Sequence, residues 1–311
     1  MNINIIPQRM EFYFEKHIAK FPNCNIYYGE ENIENADVIY GNPSLEQIYT
    51  CKNLKWIQTV SAGVDAYIKG GFPENISLTN ATGAYGLAIS EHLLAMHLSL
   101  IKKFNHYFSS QQKNEWINHG MVKAVDGSTV LILGLGDIGG KYAKIVKAMG
   151  AYVIGLRRSD SQKPDYVDEI HLSEKLDELL PRADVVAIAL PGTAQTKHLI
   201  NKHTLSLMKK DAIILNVGRG SIIDSSALCE ALNSGNLAGA GLDVTEIEPL
   251  PSGDPLWSAK NLVLTPHISG GFGLEQTIST NVSLFADNLE RFIKGQPLKN
   301  TIDFEQGYRK L

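Results

Sequence analysis

The chain has 311 residues, 44% hydrophobic and 20% charged, enough for one large or two medium globular cores and too apolar for a disordered or collagen-like chain. A net charge of −4, from 29 Lys+Arg and 33 Asp+Glu, excludes the concentrated basic surface that nucleic-acid binding requires. The first residues, Met1 to Lys16, contain no basic stretch followed by an apolar one, and no apolar run approaches the roughly 18 residues of a membrane helix. With three cysteines (Cys24, Cys51, Cys229) at spacings that suit neither a disulfide framework nor a metal, the expectation is a cytoplasmic protein with reduced thiols, no metal, and no membrane or nucleic-acid partner.

Short β-rich runs come first, at Asn2 to Ile6, Asn25 to Tyr28, Asp37 to Tyr40, Lys55 to Val60 and Ile76 to Asn80, alternating with helical patterns and bounded by Gly, Pro, Asn or Asp. From Gly86 to Lys103, apolar residues at helical spacing predict one long, largely buried helix. A second βα series follows, with apolar strands at Thr129 to Leu133, Tyr152 to Ile154, Asp184 to Ala189, Ala212 to Val217, Ala238 to Val244 and Leu262 to Leu264. Such near-continuous apolar runs suit a parallel sheet covered on both faces. A last helix is predicted over Gln276 to Lys294. There is no internal repeat and no flexible linker, so the predicted α/β domains are joined by helices, which allows a hinge around a defined cleft.

Gly134-Leu135-Gly136-Asp137-Ile138-Gly139 lies directly between a predicted strand and a predicted helix. The bare spacing would arise by chance about 0.2 times in a chain with this glycine content, so its position carries the signal. Gly134 permits the turn, Gly136 admits a pyrophosphate to the backbone, and Gly139 lets the helix pack closely. The first N–H groups of that helix, from Asp137 and Ile138 onward, face the anion. An acidic residue at the end of the next strand would hold an adenosine ribose, but here the chain reads Leu156-Arg157-Arg158-Ser159. Two guanidinium groups and a hydroxyl suit a 2′-phosphate, so the cofactor expected is NADP(H), with Asp160 keeping NAD(H) open as the alternative.

Three further segments begin at C-terminal strand ends: Asn216-Val217-Gly218-Arg219-Gly220, Gly241-Leu242-Asp243-Val244 running to Glu248, and Leu264-Thr265-Pro266-His267. Ligands of open α/β sheets bind at that edge, so Arg219, Asp243, Glu248 and His267 are expected to converge there. Arg can hold a carboxylate bidentately, and a carboxylate beside an imidazole favours the protonated ring, which can donate. His92, His97, His106 and His119 lie in helical or connecting stretches without a motif partner and are set aside, while Trp116 and Tyr85 suit either the cleft or simple packing.

These segments, with Leu54-Lys55-Trp56-Ile57-Gln58, Ser61-Ala62-Gly63-Val64-Asp65, Leu190-Pro191 through Thr196, and Gly295-Gln296-Pro297-Leu298-Lys299-Asn300, together resemble the D-isomer-specific 2-hydroxyacid dehydrogenase family. The resemblance covers nearly the whole chain. It implies a Rossmann-type doubly wound parallel sheet domain inserted into a smaller flavodoxin-like α/β domain, with residues 99–282 binding dinucleotide and residues 1–98 plus 283–311 binding substrate. It implies that Arg219 and the Ala62 and Gly63 amides take the substrate carboxylate, that His267 protonates the carbonyl oxygen, and that Glu248 orients His267. Asp243, Leu190, Pro191, Thr196, Val217, Gly218, His267 and Gly270 would line the cofactor. It also implies a homodimer through the nucleotide domain.

Specificity in this family is set by the smaller domain, here Gly41 to Glu46 and Ser61 to Asp65. The first segment has no Lys or Arg for a substrate phosphate, so the substrate expected is a small unphosphorylated 2-oxo acid such as glyoxylate or hydroxypyruvate, reduced to the D-2-hydroxy acid. The alternatives are an NAD-dependent dehydrogenase of a bulkier acid and a dinucleotide-sensing, corepressor-like binding protein. The chain has no basic or disordered tail to support the second.

Overall fold

The computed structural model describes residues 1–7, 10–18, 20–158 and 162–309. Its contacts divide the chain into two units, Met1–Tyr85 with Phe272–Leu311, and Gly86–Gly271. The second unit is therefore inserted into the first.

The first unit runs β1 (Asn2–Ile5), α1 (Glu11–Ile18), β2 (Asn25–Tyr28), β3 (Val38–Tyr40), α2 (Leu45–Thr50), β4 (Trp56–Gln58), α3 (Asp65–Lys69) and β5 (Ser77–Thr79). The second begins with α4 (Gly86–Ile101) and α5 (Phe104–Gln112) and continues through β6 (Thr129–Leu133), α6 (Asp137–Ala148), β7 (Tyr152–Arg157), β8 (Glu169–Leu172), α7 (Leu176–Leu179), β9 (Val185–Ile188), α8 (Lys202–Leu207), β10 (Ile213–Asn216), α9 (Ser225–Ser234), β11 (Gly239–Leu242) and β12 (Leu262–Leu264). The chain then returns to the first unit with α10 (Glu275–Ile293) and the hairpin β13 (Ile302–Asp303) and β14 (Tyr308–Arg309).

The first sheet is parallel in the order β2-β1-β3-β4-β5, the flavodoxin-like arrangement. One face packs Tyr40, Trp56 and Phe14 against Phe285 of α10, with the Trp56 and Phe285 rings stacked at 5.3 Å. The other face packs Ile39, Ile57 and Leu78 against Ile48 of α2 and Tyr67 of α3. The second sheet is parallel in the order β12-β11-β10-β9-β6-β7-β8, so strand order reverses between β6 and β9, where the crevice of a doubly wound sheet opens.

The units divide at 85/86 and 271/272, earlier than the expected 98/99 and 282/283, which fall inside α4 and α10. The reason is packing. Strand β11 reads Gly-Ala-Gly-Leu, and a side chain at Gly239 or Gly241 would meet Leu100 or Met96 of α4 at 3.1 Å, so small residues let α4 lie close on this sheet. His97 of α4 bonds Tyr142 of α6 at 2.8 Å, tying the whole helix to the second unit. Strand β8 and helix α5 were not foreseen. Glu-Ile-His-Leu is an edge strand with two polar residues, and Lys103, at φ 60°, makes a left-handed break just before α5, so that α4 stops at Ile101, two residues short of the predicted helix.

Candidate active site

The turn after β6 shows what each glycine does. Gly134 has φ 98°, and a side chain there would lie 2.9 Å from the Ala189 carbonyl oxygen. Around Gly136 no described residue apart from its neighbours in the chain lies within 4 Å of where a Cβ would stand, so its backbone is open to approach. A Cβ at Gly139 would lie 1.9 Å from the Gly134 carbonyl oxygen, so only glycine lets α6 start against the strand. Asp137, in the first turn of α6, is ion-paired with Lys141 at 2.8 Å, which offsets its charge beside a phosphate-type turn, and Ile138 is half-buried behind it. This cradle fits a dinucleotide pyrophosphate.

Arg157 ends β7, next to β6 in the sheet, and is half-buried with its Nε atom enclosed and without a hydrogen-bond partner among the described residues. Arg158 is exposed. Ser159 and Asp160 lie outside the described residues.

The neighbouring strand ends close up against this turn. Leu190 and Pro191 follow β9, and the Thr196 hydroxyl ties their loop by donating to the Pro191 carbonyl at 2.8 Å. Val217 donates to Ile188 at 3.2 Å, and a Cβ at Gly218 would lie 2.5 Å from the Leu190 carbonyl oxygen, so the loops after β9 and β10 touch. Arg219 comes next, half-buried. Its stem lies on Gly192, its Nη1 donates to the Gly218 carbonyl at 2.8 Å, and Asn216 bonds its carbonyl at 3.0 Å. A Cβ at Gly220 would lie 1.9 Å from Thr245, so the Arg219 loop crosses tightly against the one that leads to Glu248.

His267 Nδ1 lies 2.7 Å from Glu248 Oε2. The other carboxylate oxygen, Oε1, accepts from the Thr245 N–H at 3.0 Å, so the carboxylate is held at both ends. The imidazole is close to half exposed. Asp243 is enclosed. Its Oδ1 accepts from the Thr265 hydroxyl at 2.6 Å and the Ile268 N–H at 3.0 Å, and its Oδ2 accepts from the Ser269 N–H at 3.0 Å and the Ser269 hydroxyl. Those bonds pin the loop on both sides of His267, whose own N–H donates to the Asp243 carbonyl at 2.8 Å. Gly270 follows directly on that loop, half-buried.

Sequence reasoning passed over His92, which reaches this loop from α4. Its Nε2 lies 2.9 Å from Thr265 Oγ1 and 3.7 Å from Asp243 Oδ1. Its signal was faint, since the partner Thr265 lies 173 residues away. In the first unit, Ala62 and Gly63 lie in the turn after β4, both partly exposed.

The profile of the D-isomer specific 2-hydroxyacid dehydrogenase NAD binding domain matches residues 94–269, more than half of the chain and wholly within the second unit. The chain belongs to the D-isomer specific 2-hydroxyacid dehydrogenase family. A member from Aeromonas salmonicida subsp. salmonicida superposes with a TM-score of 0.88 at 33% identity, over 97% of this chain and 99% of that one. The hydroxypyruvate reductase of Blautia hydrogenotrophica is 31% identical, over 86% of this chain and 85% of its own. The NADPH-dependent glyoxylate/hydroxypyruvate reductase of Sinorhizobium meliloti, solved with NADP and sulfate, superposes with a TM-score of 0.83 at 25% identity over 99% of both chains. This dehydrogenase is therefore an NAD(P)-dependent enzyme acting on 2-oxo and 2-hydroxy acids. Among its described residues no helix is long and apolar enough to cross a membrane.

Proposed function

We propose that this dehydrogenase reduces a small unphosphorylated 2-oxo acid, of the glyoxylate or hydroxypyruvate kind, to the D-2-hydroxy acid, with NADPH preferred to NADH. The observation that carries the reading is the His267–Glu248 pair at 2.7 Å, on the sheet edge that also bears Arg219 and the glycine turn. With Nδ1 engaged by Glu248, the Nε2 of His267 is the atom that delivers a proton to the carbonyl oxygen. Arg219 takes the substrate carboxylate and draws charge toward the developing alkoxide, and the Ala62 and Gly63 N–H groups take the same carboxylate. The bound nicotinamide supplies the hydride. Asp243 acts by holding the His267 loop, and Leu190, Pro191, Thr196, Val217, Gly218 and Gly270 shape the cofactor side.

Preference for NADPH is supported by Arg157, whose enclosed Nε has no partner among the described residues, and by Arg158 beside it. The NADP bound in the Sinorhizobium meliloti relative agrees with it. A small unphosphorylated substrate is supported by Gly41 to Glu46, where the polar groups serve the fold: Asn42 accepts from the Val60 N–H, Pro43 from the Tyr67 hydroxyl, and Ser44 caps α2.

We also assign a second copy of the chain to the exposed apolar groups of α5 and the segment after it: Phe104, Phe108, Trp116, Ile117, Met121 and Val122. Sedimentation should give a dimer, and Phe108→Glu with Trp116→Glu should give a monomer; an unchanged dimer would place the interface elsewhere.

The function is tested by following reduced-nicotinamide absorbance with NADPH and, separately, NADH, offering glyoxylate, hydroxypyruvate, pyruvate and bulkier 2-oxo acids. Fastest oxidation of NADPH by a short acid is expected. Preference for NADH would remove the role given to Arg157 and Arg158, and cofactor binding without turnover would replace the reductase by a dinucleotide-sensing protein.

A further inference from the structure

The turn Val60 to Val64 has an asymmetric backbone. Each of its carbonyls is occupied. The Val60 oxygen accepts from Asn281 Nδ2 at 2.9 Å and from the Tyr85 hydroxyl. Ser61 accepts from the Ala81 N–H at 3.0 Å, Ala62 from Asn80 Nδ2 at 2.7 Å, Gly63 from the Ser61 hydroxyl at 2.7 Å and Val64 from the Tyr67 N–H at 3.0 Å. The N–H groups of Ser61, Ala62, Gly63 and Val64, by contrast, donate to no acceptor among the described residues. A peptide whose oxygen is tied on one side presents its N–H on the other, so the tied carbonyls aim a row of donors outward, which is the electrostatics of an anion site.

The ties at Val60 come from far along the chain. Asn281 lies on α10, completely buried, and its orientation is set by Tyr40 of β3. Burial raises the Tyr40 phenol well above the ordinary tyrosine range, so it stays a donor, and it donates to Asn281 Oδ1 at 2.9 Å. That bond leaves the amide nitrogen of Asn281 facing Val60 and, at 3.2 Å, the Tyr85 oxygen. Three buried side chains, Tyr40, Asn281 and Tyr85, thus form a network that meets the first carbonyl of the turn. A leucine on α10 would fill the same core position, so packing alone gives no reason for an amide there.

We infer that Asn281 and Tyr85 are positioning residues for substrate binding: by holding the Val60 carbonyl they fix the first peptide of the turn, whose N–H is that of Ser61, and so set the course of the backbone that carries the Ala62 and Gly63 N–H groups to the substrate carboxylate. This rests on the assignment of those two amides proposed above. It extends substrate recognition to α10, which contributes no group to the carboxylate itself.

The experiment compares Asn281→Leu, Tyr85→Phe and Ala62→Pro with the parent enzyme, measuring kcat and KM for hydroxypyruvate, inhibition by oxamate, NADPH affinity by fluorescence, and melting temperature. Asn281→Leu should raise KM and weaken oxamate about tenfold, Tyr85→Phe about threefold, with kcat and NADPH affinity nearly unchanged. A purely structural role would instead lower the melting temperature without this selective loss of carboxylate binding. Should Asn281→Leu fail to fold, Tyr85→Phe decides, since it removes one oxygen and keeps the ring. Unchanged KM and oxamate inhibition in the positioning variants, with Ala62→Pro impaired, would overturn the inference alone. An unimpaired Ala62→Pro would overturn the carboxylate assignment and the inference together.

Discussion

His267 sits at φ 51°, a left-handed backbone that a side chain bearing a Cβ adopts at some cost, and the hydrogen bonds of Asp243 on both sides of it hold it there. That placement turns the ring toward Glu248 and leaves it accessible. Replacing His267 with Ala should lower kcat about a thousandfold while NADPH binding is retained, measured by steady-state kinetics and fluorescence titration; full turnover would exclude it as the proton donor. Arg157→Asp should move the cofactor preference toward NADH by about tenfold or more, read as the ratio of kcat/KM for the two cofactors. His97 gives a prediction about stability. Burial lowers its pKa to about 4 from an ordinary 6.5, and its Nδ1 is engaged by Tyr142. The unfolded chain therefore binds a proton that the folded one refuses as pH falls through this range. Stability present above pH 6.5 should decline by about 3 kcal/mol toward pH 4, and His97→Gln should flatten that slope in urea unfolding measured across pH.

Among the elements, α6 and α4 pack on each other and each contributes to the site. Helix α6 starts against the strand that precedes it only because Gly139 has no side chain. Gly139→Ala should displace the turn and lose NADPH binding by at least about tenfold, measured by fluorescence, even though alanine is the better helix former. Helix α4 contributes His92, which approaches the Thr265 hydroxyl as that hydroxyl donates to Asp243. His92→Leu keeps the helix and removes the polar contact, so kcat should fall about tenfold with NADPH affinity unchanged; unaltered kcat would make the contact incidental to His267. Both elements were predicted from spacing. Strand β8 was not, because its polar–apolar alternation runs for only four residues, too short to stand out, and pairing with β7 is what makes the segment extended.

At the scale of the molecule, the second unit is continuous in sequence and has its own seven-stranded sheet and apolar core, whereas the first is closed by α10 from the far end of the chain. The fragment 86–271 should therefore fold alone and bind NADPH within about tenfold of the whole enzyme, shown by circular dichroism and fluorescence, yet turn over no 2-oxo acid because Ala62 and Gly63 are absent. Fragment 1–85 should remain unfolded, since Phe14, Tyr40 and Trp56 pack on Phe285, which it lacks.

What the sequence determined by itself was whatever is encoded locally: the strands with near-continuous apolar runs, the glycine turn between strand and helix, and the residue types Arg219, Glu248 and His267 at strand ends where a parallel sheet gathers its loops. Those features follow from short-range sterics and from one topological rule, that a parallel sheet binds its ligands at the carboxyl ends of its strands. The tertiary structure alone decided what depends on residues distant in sequence. It placed the unit boundaries before α4 and α10, because β11 is small enough for α4 to settle on it and Phe285 completes the other core. It brought His92 to Thr265 across 173 residues and Asn281 to Val60 across 221, and hydrogen bonds spanning such separations leave no periodicity or spacing in the chain from which to read them.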